Sequence, residues 1–170
     1  MKLSVACGSL ASLVTASVHV SRADTEADSL YGYGVNIGGL PFIYADGLAY
    51  LGSAPSNASV ATNVTVSISS GVVVVTPTDT TWTGSKSLYI DNYSGAYEAA
   101  KIVSSASGYT NSGFMFYGRT LFQSGTKGME SLFYATPLDS LNQTYLLEWN
   151  SDSIDNGAST PVALRNLPPA

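Results

Sequence analysis

The chain has 170 residues, 45% of them apolar and only 11% charged, with seven Lys plus Arg against twelve Asp plus Glu. A surface of this sign repels nucleic acid and anionic membranes, so neither is expected as a partner. The sole cysteine, Cys7, and the sole histidine, His19, both lie near the N-terminus, which leaves the body of the chain without a disulfide, a zinc-thiolate site, a Ser-His-Asp triad or a histidine-rich metal centre.

In chain order, Lys2 precedes an uncharged apolar stretch from Leu3 to Ala16 that is too short to span a bilayer. It reads as a secretory signal, with maturation expected after Ala23 and Ala16 as the second choice. Residues 1–23 are then the signal peptide and residues 24–170 a single secreted domain. Loss of Lys2 and Arg22 leaves five basic against twelve acidic residues, a formal charge of −7. No later segment reads as a transmembrane helix or as a lipid-anchor signal.

Beyond the leader, Val, Thr, Ser, Tyr and Gly dominate and helix-forming runs are nearly absent. Pro41-Phe42-Ile43-Tyr44 and Leu48-Ala49-Tyr50-Leu51 flank Asp46-Gly47, the signature of a tight hairpin. Val60, Thr62, Val64, Val66 and Ile68 alternate with Ala61, Asn63, Thr65 and Ser67, so one face of that strand is expected inside. Ser70-Gly71 turns the chain into Val72 to Val75. Further strands are expected at Leu88–Ile90, Tyr97–Val103, Phe114–Tyr117, Thr120–Phe122, Leu132–Ala135, Tyr145–Trp149 and Val162–Leu164. Short strands at this density predict an all-β fold, a compact trefoil-like or barrel-like single domain, with a two-sheet β-sandwich as the alternative. The hairpins near Tyr50, Tyr89 and Leu146 hint at a threefold repeat without a fixed period.

Four Asn-x-Ser/Thr acceptors, at Asn57, Asn63, Asn92 and Asn142, suit an extracellular glycoprotein. Candidate binding residues are the aromatics Tyr31, Tyr33, Tyr44, Tyr50, Trp82, Tyr109 and Tyr117, set against core or cross-strand packing as their ordinary role. The segment from Gln123 to Glu130, with Lys127 at its centre, is the loop a small rigid scaffold could present to an enzyme cleft. Among the carboxylates Asp91, Glu98, Glu130 and Glu148, the last is the most notable because it precedes Trp149, although alternation turns it outward, away from Leu147 and Trp149. Asp46 belongs to its turn, and Asp152, Asp155 and Asn156 to a polar loop without a calcium-ligand pattern. The glycines at 32, 34, 38 and 39 are no phosphate cradle, since no helix follows them. No catalytic residue, metal ligand or cofactor is expected.

The segments Phe114-Met115-Phe116-Tyr117-Gly118, Leu132-Phe133-Tyr134-Ala135-Thr136-Pro137, Tyr145-Leu146-Leu147-Glu148-Trp149-Asn150 and Pro161-Val162-Ala163-Leu164-Arg165, with Ala45 to Gly52 before them, resemble the small secreted cell-wall proteins of filamentous fungi associated with phialide development. The resemblance implies a non-catalytic component of the wall or secretome, and related β-proteins act as effectors toward a host. It also implies cysteines after the Tyr-Ala segment and near the C-terminus, where this chain has Thr136 and Ser159-Thr160. The expected function is therefore that of a non-enzymatic secreted fungal protein that associates with extracellular polysaccharide or with a host protein. An inhibitor of secreted proteases or glycosidases is the alternative, and a carbohydrate-active enzyme using Glu98 or Glu148 is the third reading.

Overall fold

Asp46 and Gly47 take φ angles of 44° and 89°, the paired positive values that match a two-residue turn to the twist of its flanking strands. Ser70 and Gly71, at 50° and 81°, form a second turn of this kind, and Gly118 at 60° opens a third. In a computed structural model that describes residues 27–125, 128–141 and 143–170, these turns join three strand pairs, and the described residues form fourteen strands and no helix. The leader with its cleavage sites, Cys7, His19, Lys127 and Asn142 lie outside the described residues.

The strands are β1 (Tyr31–Gly34), β2 (Ile37–Ala45), β3 (Leu48–Gly52), β4 (Ala61–Ser69), β5 (Val72–Pro77), β6 (Lys86–Tyr89), β7 (Tyr97–Ala99), β8 (Lys101–Val103), β9 (Phe114–Tyr117), β10 (Thr120–Gly125), β11 (Gly128–Glu130), β12 (Phe133–Pro137), β13 (Thr144–Asn150) and β14 (Thr160–Arg165). Ten of them close an antiparallel barrel in the order β1-β2-β4-β5-β6-β8-β3-β13-β12-β14, with β14 returning to β1. The all-β, barrel-like expectation holds, and the trefoil-like and sandwich alternatives give way to this ring. The suspected repeat dissolves into it, because Tyr50 and Leu146 are direct partners across β3 and β13. The β2-β3 hairpin is also paired with itself. It crosses the ring as a chord and divides it into two six-stranded circuits that share it.

That position explains the continuous apolar run in β2 and β3, since the hairpin is buried on both faces. Phe42, Tyr44, Ala49 and Leu51 enter the main core, while Ile43, Ala45 and Tyr50 pack outward with Leu48, Ala58 and Leu146. The main core runs without a break from Val64, Val66 and Ile68 through Leu88 and Ile102 to Phe133, Leu147 and Trp149. Phe133 and Trp149 meet edge-on with centroids 4.9 Å apart, and each such side chain contributes about 1.5–3 kcal/mol by leaving water.

Two expectations need correction. Val60 is 42% exposed, because β4 begins one residue later and the segment before it is tied back by Asp46, whose carboxylate accepts from the amides of Ser59 and Val60 at 2.8 and 2.9 Å. Tyr97–Val103 is two strands, broken at Ala100, whose amide donates to Leu147 O and whose carbonyl accepts from Ala49 N, both at 2.9 Å. A single residue thereby ties β13 to β3.

Candidate functional site, an outward tyrosine flank

Alternation fixes what the barrel shows to solvent along β7, β13, β12, β14 and β1. Leu147 and Trp149 point inward, so Glu148 points out; Phe133 and Ala135 do the same for Tyr134 and Thr136, and Val162 and Leu164 for Pro161, Ala163 and Arg165. In β1 the inward position belongs to Gly32, where a Cβ would stand 2.4 Å from Leu51 Cδ1, and Tyr31 and Tyr33 are thereby turned outward.

Register then assembles these residues into one surface. Glu148 pairs with Tyr134, and Tyr134 with Pro161. Two residues further along β14, Ala163 pairs with Tyr33 and Arg165 with Tyr31. Arg165 also faces Thr120, which faces Tyr117. The Arg165 guanidinium lies 5.5 Å from the Tyr33 ring centroid, and the Tyr33 hydroxyl donates to Leu167 O at 2.6 Å. Tyr117, 68% exposed, stands edge-on to Phe122 with centroids 6.3 Å apart.

At the β13 end of this flank the 151–159 loop is anchored to the sheet. Buried Asn150 holds it through Ile154, donating to its carbonyl at 2.7 Å and accepting from its amide at 2.9 Å. Asn156 donates to the Tyr97 hydroxyl at 3.1 Å and to Ser159 Oγ at 2.9 Å. Ser159 meets Thr136 at 2.6 Å, and Thr136 donates to the Glu148 carboxylate. Tyr97 and Tyr134 pack edge-on at 5.9 Å. Burial raises the Tyr97 phenol above its ordinary value, and the nearby Glu148 charge pushes it the same way.

The expected binding residues divide over the molecule. Tyr31 and Tyr33 belong to the flank. Trp82 and Tyr109 do not: Trp82 packs on Tyr44 at 4.6 Å under Lys86 of β6, and Tyr109 lies beneath Lys101 Nζ of β8 at 3.8 Å, so both sit with β6 and β8 rather than on the strands of the flank. Tyr44 and Tyr50 are buried, at 7% and 8% exposure. Gln123 is buried too, at 4%, with its amide donating to Ser112 O at 3.4 Å, so it presents nothing to a cleft. Glu130 lines a cavity of about 160 Å³ at the barrel's end beside Asn92 and Asp152.

Of the acceptor asparagines, Asn57, Asn63 and Asn92 are exposed. Asp152 caps the 92–95 turn through Gly95 N at 2.7 Å, and Asp155 caps Gly157 N at 2.8 Å. Among the described residues no group of three or more His, Cys, Asp or Glu is placed to hold a metal. Glu98 pairs in register with Trp149 rather than with Glu148, which sends the two carboxylates to opposite faces. Trp149 is 1% exposed, so it offers no platform beside Glu148. The sequence reading missed Tyr97, Tyr134, Thr136, Ser159 and Arg165; alternation around Tyr134 was the one local signal that could have found any of them. No protein-family model, curated protein or solved structure matches the chain.

Proposed function

We propose that this chain is a non-enzymatic secreted protein that associates with cell-wall polysaccharide through its tyrosine flank. The observation that carries the reading is the outward register Tyr33-Ala163 and Tyr31-Arg165 beside Tyr134-Pro161, a run of rings on rigid strands. Flat amphipathic rings suit the apolar faces of sugars, and fixed strands hold them without ordering cost at the moment of binding. The expected signal peptide, the exposed acceptors Asn57, Asn63 and Asn92 and the likeness of the strand motifs to fungal wall proteins support an extracellular setting.

The test is retention of the mature glycosylated protein on insoluble chitin and β-glucan, beside a panel of secreted plant proteases. Retention that falls in a Tyr31→Ala, Tyr33→Ala double variant supports the reading. Capture of a protease with loss of its activity would instead support the inhibitor reading, whose own observation is the β10-β11 hairpin with Met129 48% exposed.

A further inference from the structure

Proton counting gives the network on the flank a direction. The one hydroxyl proton of Thr136 goes to Glu148, so the 2.6 Å contact between Thr136 and Ser159 uses the Ser159 proton. Ser159 in turn accepts from Asn156, whose other amide proton goes to Tyr97. These donors are consumed within the network, and the chain ends on one carboxylate oxygen. What the network leaves at Tyr97, Tyr134 and Glu148 is electron-rich: a carboxylate beside two half-buried phenol rings that meet edge-on.

Such a cluster calls for a cation, and the described part of the chain does not supply one. Its four cations are engaged elsewhere: Lys86 over Tyr44 and Trp82, Lys101 over Tyr109, Arg165 over Tyr33, and Arg119 on Asn166 O. Among the described residues Glu148 meets neutral groups, namely Thr136, Tyr97 and Tyr134. We infer that Tyr97, Tyr134 and Glu148 form a subsite for a primary ammonium carried on a sugar ring. The polymer preferred by this flank is then an amino-sugar chain with free amines, rather than its N-acetylated form or a neutral glucan. The inference rests on the polysaccharide reading above.

A lysine of a partner peptide carries the same ammonium, but the strands here argue for the sugar. β13 is paired with β12 on one side and with β3 and β7 on the other, and β12 lies between β13 and β14. An extended peptide therefore finds no open edge along β12 or β13, and the unpaired side of β7 beside them is only three residues long, too short to template an added strand. Tyr33 and Tyr31 continue the surface along β14 and β1, where further rings of a sugar chain can rest.

The experiment measures binding of the mature protein to three oligomers of equal length: β-1,4-linked glucosamine with free amines, its N-acetylated counterpart, and a β-glucan, in mildly acid, low-salt buffer. The free-amine oligomer is expected to bind tightest. Glu148→Gln should weaken it about tenfold, the order expected for a partly desolvated charge contact, and leave the N-acetylated oligomer unchanged. Glu98→Gln, which removes the same charge from the other face, should alter neither. Equal binding of the first two oligomers by the unmodified protein overturns the inference even if the Glu148 variant fails to fold. So does an equal loss in the Glu98 variant, which would mean diffuse attraction to an acidic protein. Displacement of the sugar by a lysine peptide of equal charge at equal concentration overturns its sugar specificity. Failure of all three oligomers to bind overturns the polysaccharide reading itself.

Discussion

The hydroxyls of Thr136 and Ser159 lie 2.6 Å apart although 23 residues separate them in sequence. This hydroxyl pair joins β12 to the residue that leads into β14. A Thr136→Cys, Ser159→Cys double variant is expected to oxidise to a disulfide and gain about 3 kcal/mol, the chain-entropy value for closing a loop of this order. Thermal melts with and without reductant, together with a thiol count, check it. Two free thiols after oxidation would mean that the Cβ atoms diverge too far to bridge.

Gly52 and Gly38 make a contrasting pair. At Gly52, φ is +90° and a Cβ would stand 2.0 Å from the Gln143 carbonyl oxygen, which is backbone and cannot swing aside. At Gly38 no atom lies within 4 Å of the added carbon. Denaturant unfolding should show Gly52→Ala losing about 3 kcal/mol or more, from strain and the displaced β13 entry, and Gly38→Ala staying within about 0.5 kcal/mol.

Tyrosine ionisation supplies a pH test. Burial raises the phenols of both Tyr50 and Tyr97 above the ordinary 10.0, reinforced by Asp46 in the first case and by Glu148 in the second. Both groups hold their protons longer in the folded chain than in the unfolded one. Their contribution to stability is therefore complete below pH 10.0 and is lost as the pH climbs through the folded values. Ultraviolet titration should show a late-ionising fraction among the eleven tyrosines. Glu148→Gln should bring part of it forward while leaving the Tyr50 component in place; no change would separate Glu148 from Tyr97 electrostatically.

The hairpin at Asp46-Gly47 and the alternation of β4 were legible because local chemistry decides them: positive φ at the turn, one apolar face on the strand. β1 was not legible. Its one buried position holds Gly32, where a Cβ would stand 2.4 Å from Leu51 Cδ1, so close packing removed the side chain that would have marked the strand. The same division holds at the flank. Alternation alone turns Glu148 outward, but its meeting with Tyr97 and Thr136 and the link through Thr136 to Ser159 depend on long-range register and on the course of the 151–159 loop. Gln123 failed as a contact residue because its polarity suggested a surface, whereas the strand buries it at a bonded site.

Closure of the ring by β1 and β14 has a kinetic meaning. Tyr33 and Leu167, bonded across that seam, are 134 residues apart in sequence, so the loop that must be closed spans nearly the whole domain. Until β14 arrives, the outer side of β1 has no strand beside it, and an early intermediate exposes a row of unpaired amides and carbonyls. The barrel is expected to fold slowly and seal last at this seam. While the chain stays open for want of its final strand, two copies at high concentration can exchange their β14 strands.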